Sequence, residues 1–125
     1  MATILVVDDE QPVREFLVAA FQQEGHEVLE AWHGRHALAI IHDSSTPPDL
    51  VISDVMMPLV GGVELCSLLR ADPATADIPI VLMSAAHPKA SAGAAADAVI
   101  GKPFDLDTLE ALVHRLLWTR HKGAA

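Results

Sequence analysis

Leu50-Val51-Ile52-Ser53-Asp54-Val55-Met56-Met57-Pro58 is the stretch that decides the fold. Its first three residues make a continuous apolar run, the pattern of a strand covered on both faces. The run stops on Asp54, and Pro58 with Gly61-Gly62 then turns the chain away. A strand covered on both faces belongs to a parallel sheet, and open sheets of that kind place ligands beyond the carboxyl ends of their strands. Asp54 stands at such an end. The plain alternative is an aspartate that caps the following helix, and the rest of the chain has to choose between the two.

Outward from this stretch the same arrangement recurs. Ile4-Leu5-Val6-Val7 is an apolar run that ends on Asp8-Asp9-Glu10. Val28 to Ala31 is a short strand, Ile80 to Met83 a fourth that ends at Ser84, and Ala98 to Ile100 a fifth that ends before Lys102-Pro103. Between them the spacing turns helical. Pro12 suits a first turn, Val13, Phe16, Leu17, Ala20 and Phe21 share a face, and Gly25 stops the helix. Arg35 to Asp43 carries Ala37, Leu38, Ile40 and Ile41 inward, and Leu65, Leu68 and Leu69 mark the next helix. Leu106, Leu109, Leu112, Val113, Leu116 and Leu117 mark the last one, behind an N-cap at Asp105. Pro88 to Ala96 falls where a fourth helix is due, yet it has no large apolar residue to bury. Strand and helix alternate five times, which predicts an α/β fold. It is one domain over residues 1–125, core about 3–121, built on a doubly wound five-stranded parallel sheet with helices on both faces.

Composition narrows the function. The 125 residues are 51% apolar with a net charge of −9, a balance that supports one full core and opposes a nucleic-acid surface, which needs a basic face. One cysteine, Cys66, excludes an internal disulfide, and no apolar run approaches the roughly 20 residues of a membrane span. With no secretory leader, the expected compartment is the cytoplasm, away from membrane and nucleic acid.

A doubly wound sheet brings its strand ends to one edge, so Asp8-Asp9, Asp54, Ser84 and Lys102 meet there. Crowded carboxylates repel one another and call for a cation, and hard oxygen ligands that leave room for water and a phosphate suit Mg²⁺. A carboxylate can also act as a nucleophile and take a phosphoryl group as an aspartyl phosphate, with Mg²⁺ and a lysine stabilising the transferring charge.

Asp8-Asp9, Asp54 with Met57-Pro58 and Gly62, Ser84-Ala85, and Lys102-Pro103-Phe104, in this order and on these strands, resemble the receiver domain of bacterial two-component response regulators. The resemblance covers nearly the whole chain, including Ala31, Gly34 and Ala37-Leu38. It implies the flavodoxin-like strand order 2-1-3-4-5. It also implies that Asp54 accepts phosphate from a histidine kinase or a histidine phosphotransfer protein, as a switch that alters contacts with a downstream protein partner. Asp9 and Asp54 would hold Mg²⁺ directly with the backbone carbonyl of Met56, and Asp8 would act through a water. Ser84 would supply the hydroxyl that moves toward the phosphoryl group, Lys102 would pair with it, and the Lys102-Pro103 peptide would be cis. On this reading the chain is no enzyme beyond Mg²⁺-dependent self-phosphorylation and autodephosphorylation. The rival readings are an Mg²⁺-dependent aspartyl-phosphate phosphatase, which wants an Asp-x-Asp that Asp8-Asp9-Glu10 lacks, and a receiver-fold binding module that never cycles phosphate.

Two departures from the family stand out. Val99 takes the place, three residues before Lys102, where the family usually has an aromatic, and the chain has no tyrosine. The segment between Ser84 and Lys102 is short and rich in Ala and Gly, which predicts a weakly held stretch over Pro88 to Ala96 that orders on phosphorylation. Met56 and Ala86, flanking the site, cannot orient a hydrolytic water, which predicts a long-lived phosphoryl group. Among the seven histidines, His33, His36 and His42 cluster loosely without metal-ligand spacing, and His114 and His121 are expected in solvent. Cys66 is expected to pack in the core, and Trp32 and Trp118 to be partly buried.

Overall fold

The structure, a computed structural model, describes residues 2–85 and 95–124. Five strands and, among the described residues, four helices follow one another along the chain. They are β1 (Thr3–Val7), α1 (Gln11–Gln23), β2 (Glu27–Ala31), α2 (Gly34–Asp43), β3 (Leu50–Asp54), α3 (Gly62–Ala71), β4 (Ile80–Ser84), β5 (Ala98–Gly101) and α4 (Leu106–Ala124). Of the helix due over Pro88 to Ala96, residues 88–94 lie outside the described residues, as do its ordering and Ala86, while Ala95 and Ala96 are not helical. All neighbouring strands pair in parallel, in the order β2-β1-β3-β4-β5.

Side chains alternate across a strand, so each strand feeds two cores. Leu5, Val7, Val51, Ile80 and Leu82 face one side, where Ala37 and Ile41 of α2 and Leu65, Cys66 and Leu69 of α3 cover them. Ile4, Val6, Leu50, Ile52, Val81 and Met83 face the other, under Leu17 and Phe21 of α1 and Leu109, Val113 and Leu117 of α4. Both strand faces are dry, which explains why β1, β3 and β4 read as unbroken apolar runs. Cys66 is fully buried, as expected.

Two residues on apolar helical faces need correction. Phe16 shares the turn with Leu17 but is 51% exposed, and Leu68 is 43% exposed beside the buried Leu69. The physical reason is common to both: helical spacing defines an arc wider than the stripe a sheet can cover, and residues at the arc's rim stay in water. Trp32 and Trp118 are 56% and 68% exposed and so only partly buried.

The order β2-β1-β3 makes the chain reverse direction across the sheet between β1 and β3, and a crevice opens at their carboxyl ends. Register fixes what lines it. Val7 pairs with Ser53, so Asp8 and Asp54 follow at one level; Asp54 pairs with Met83, and Ser84 with Gly101, so Ser84 and Lys102 come next on the two adjoining strands.

Candidate phosphoacceptor site

Lys102 Nζ sits among three carboxylates at the carboxyl edge of the sheet. It lies 3.2 Å from Asp8 Oδ2, 3.2 Å from Asp54 Oδ1 and 3.5 Å from Glu10 Oε1. The three acids offer oxygens that all lie within 4.8 Å of one another. Asp8 is fully buried, Asp54 is 5% exposed, and the Glu10 side chain reaches in from solvent. Asp8 is held tightly: its Oδ1 accepts from the Glu10 N–H at 2.9 Å, and its own backbone carbonyl accepts from Arg14 at 2.8 Å. Arg14 is in turn oriented by Glu30 at 3.0 Å.

These contacts set the charge states. Burial pushes the Asp54 pKa above the ordinary carboxylate value, the neighbouring Asp8 charge pushes it further, and Lys102 opposes both. Burial works to lower the Lys102 pKa, but hydrogen bonding and charge from Asp8 and Asp54 outweigh it, and the net direction is up. One ammonium thus faces three acids, more carboxyl groups than it can pair. An all-oxygen, net-negative pocket fits a hard dication such as Mg²⁺.

The loop beyond Asp54 is built to let the backbone close in. Gly62 opens α3, its N–H donates to Val55 O at 2.9 Å, and a Cβ there would collide with the Asp54 carbonyl. Leu59 and Val60 carry φ angles of 51° and 75°, in the left-handed region that residues other than glycine seldom adopt. Their carbonyls accept from the Arg35 and Gly34 N–H groups at 3.1 and 3.2 Å, and so fill the orphan donors at the start of α2. Gly34 has no room for a side chain against Val60.

The residues singled out from sequence are distributed as follows. Asp8, Asp54 and Lys102 come together. Ser84 is 1% exposed on the adjoining strand, and its carbonyl accepts from the Lys102 N–H at 2.8 Å. The Lys102-Pro103 peptide is cis, as the resemblance implies. Met56 follows two residues after Asp54 with its side chain 73% exposed. Asp9 is exposed and is not among the acids whose oxygens converge with those of Asp54; Glu10 is. Glu10 went unassigned in the sequence because it reads as the residue before a helix, and it is in fact the N-cap of α1. Its position at the mouth follows from that role, since the cap turns the chain back over the end of β1.

The comparisons with known proteins agree with this geometry. Residues 4–114 match the family model for the response regulator receiver domain. The chain belongs to that family. It is 41% identical over 118 residues to the response regulator MprA of Mycolicibacterium vanbaalenii, a match that covers 91% of this chain and 49% of that protein. The chain therefore spans about half the length of that relative. Among solved structures it resembles the signal receiver domain of a signal transduction histidine kinase from Syntrophus aciditrophicus. The TM-score is 0.88 at 31% identity, over 95% of this chain and 92% of that one. It also resembles the response regulator TrrA of Thermotoga maritima, whose structure is a complex with Mg²⁺-BeF, with a TM-score of 0.80 at 36% identity over 93% and 99% of the two chains.

Proposed function

We propose that this chain is the phosphoacceptor of a two-component relay and that Asp54 takes the phosphoryl group from a phosphohistidine on a histidine kinase or phosphotransfer protein. The observation that carries the reading is the buried Asp54 carboxylate at a strand end, 3.2 Å from one buried ammonium and ringed by further acids. We read residues 1–125 as one receiver domain, in the cytoplasm, acting through a protein partner rather than on nucleic acid or at a membrane; no helix among the described residues is long and apolar enough to cross one.

In the transfer, an Asp54 carboxylate oxygen attacks phosphorus as the P–N bond to the donor imidazole breaks, and the imidazole leaves as the neutral ring after taking up a proton. Asp9, Asp54 and the Met56 carbonyl would hold Mg²⁺, with Asp8 acting through a water, and the ion would supply charge neutralisation for the phosphoryl oxygens; Asp9 would have to turn in from its exposed position to do so. Lys102 stands ready to exchange its contact with Asp54 for one with a phosphoryl oxygen, at no cost in reach. Ser84, one strand away, donates its hydroxyl to the bound group. The dry walls of the pocket strengthen each of these contacts. The Mg²⁺-BeF complex of TrrA, a relative that matches over 93% of this chain, supports the assignment. The acids nearest Asp54 here include Glu10, which places a further oxygen at the mouth.

Acetyl phosphate with Mg²⁺ should add a single phosphoryl group by intact mass. Asp54→Asn should abolish it, and an Asp54→Asn protein that gains the group at the wild-type rate would sink the assignment. A phosphatase assay on small phosphate esters separates the phosphatase reading, since a phosphatase would turn them over without retaining the group.

A further inference from the structure

At the opposite edge of the sheet, where the strands begin, Glu24, His26 and His114 form a second cluster whose ligand atoms all lie within 4.8 Å of one another. We infer that these three side chains form a binding site for a borderline transition-metal dication of the Zn²⁺ type, separate from the acidic pocket around Asp54.

The geometry comes first. A tetrahedral ion with bonds of about 2.0–2.1 Å to nitrogen and oxygen holds its ligands about 3.3 Å apart. His114 Nε2 and Glu24 Oε2 already stand 3.3 Å apart. The His26 ring meets the His114 ring edge-on, with centroids 6.0 Å apart, and offers a ring nitrogen within 4.8 Å of the other two ligand atoms. Two imidazoles and one carboxylate suit Zn²⁺ and its neighbours and not Mg²⁺, and they leave one position open.

The cluster is also held in place before any ion arrives. Gly25, at φ 91°, makes the turn between α1 and β2, and the Glu24 and His26 N–H groups both donate to Phe21 O at 3.2 Å. The His26 ring leans on that of the fully buried Phe21 at 6.3 Å.

The second observation is an atom with nothing to do. His26 Nδ1 accepts from the Ala2 N–H at 3.2 Å, so the neutral ring carries its proton on Nε2. That Nε2 is buried and has no hydrogen-bond partner among the described residues. A buried donor without an acceptor is costly, and native structures seldom keep one without a reason. A metal ion turns that nitrogen into a ligand. Nε2 gives its proton to solvent and binds the ion, Nδ1 takes one up, and the ring stays neutral. The Ala2 N–H and the new Nδ1–H are then two donors facing each other, so they separate and each turns to water, which the partial exposure of both residues allows.

The test is Zn²⁺ titration of the intact protein in millimolar Mg²⁺, which occupies the acidic pocket, followed by calorimetry and by long-range ¹H–¹⁵N spectra of the imidazoles. One Zn²⁺ per chain should bind, with the His26 and His114 ring signals shifting together and His26 changing from the Nε2–H to the Nδ1–H tautomer. His114→Ala and Glu24→Gln, both at exposed positions, should each weaken binding by at least the roughly 10–100-fold that losing even an outer partner costs. His36→Ala, in the other histidine group, should leave it unchanged. Binding equally tight in His114→Ala, or saturation that leaves the His26 tautomer as it was, would overturn the site. The readout needs no phosphoryl chemistry, so its failure and that of the receiver reading are independent.

Discussion

The two edges of this sheet hold similar numbers of ionisable groups in opposite states of solvation. At the carboxyl edge, Asp8 is fully buried, Asp54 nearly so, and the Lys102 side chain is only 14% exposed. At the amino edge, the His114 and Glu24 side chains are 54% and 25% exposed. Charges lose most of their hydration at the first and keep much of it at the second. A buried pair is therefore costly to break even where it adds little net stability, whereas a solvated pair contributes little in either direction.

The largest effect expected from this contrast is at Lys102. Lys102→Ala removes the one cation among three acids and should cost about 3–5 kcal/mol in urea unfolding at neutral pH. The loss should shrink as the acids become protonated at low pH. A loss under about 1 kcal/mol would mean that water reaches Asp8 and Asp54 freely, and the contrast between the edges would fail.

Next in size is the response to Mg²⁺. An ion bound only by the folded state stabilises it by about 2.7 kcal/mol at a hundredfold excess over Kd. The gain should vanish in Asp54→Ala and persist in His114→Ala; a gain lost in His114→Ala instead would assign the ion to the wrong edge.

Asp54→Asn sharpens the comparison through pH. The folded-state pKa of Asp54 is raised, so the ionised carboxylate opposes folding above that pKa, and the opposition disappears as pH falls through it toward the unfolded value. Asp54→Asn should accordingly raise the melting temperature at pH 7, with the gain fading in acid. A variant less stable than wild type at pH 7 would show that Lys102 more than compensates the burial.

The smallest effect belongs to the amino edge. In metal-free buffer His114→Ala should change stability by roughly 0.2–1 kcal/mol, the range of an exposed pair. A cost of several kcal/mol would mean the Glu24–His114 contact carries the packing of α1 against α4.

How much of this was legible in the sequence depends on what fixes each residue's position. Parallel register puts Asp8, Asp54, Ser84 and Lys102 on adjoining strands at nearly one level, so four strand ends were enough to predict the pocket. Glu10 was not, because its reach depends on how the N-cap of α1 turns. His26 and His114 were further from view. One lies in a turn and the other in the middle of the last helix, and only the packing of α1 beside α4 joins them. Phe16 and Leu68 were misjudged because periodicity shows which side of an element is apolar and not how far its neighbours extend over it.

The bonds from Gly34 and Arg35 to the carbonyls of Val60 and Leu59 give α2 a part in the pocket through its backbone. The loop after Asp54 cannot travel by a hydrogen-bond length without either uncapping that helix or dragging it along. The helix is anchored in turn by Ala37 and Ile41 in the core. It works as ballast: the loop's left-handed residues are kept in a posture they would otherwise abandon, and the position of the Asp54 carboxylate is held by the inertia of a whole secondary-structure element on the far side of the crevice.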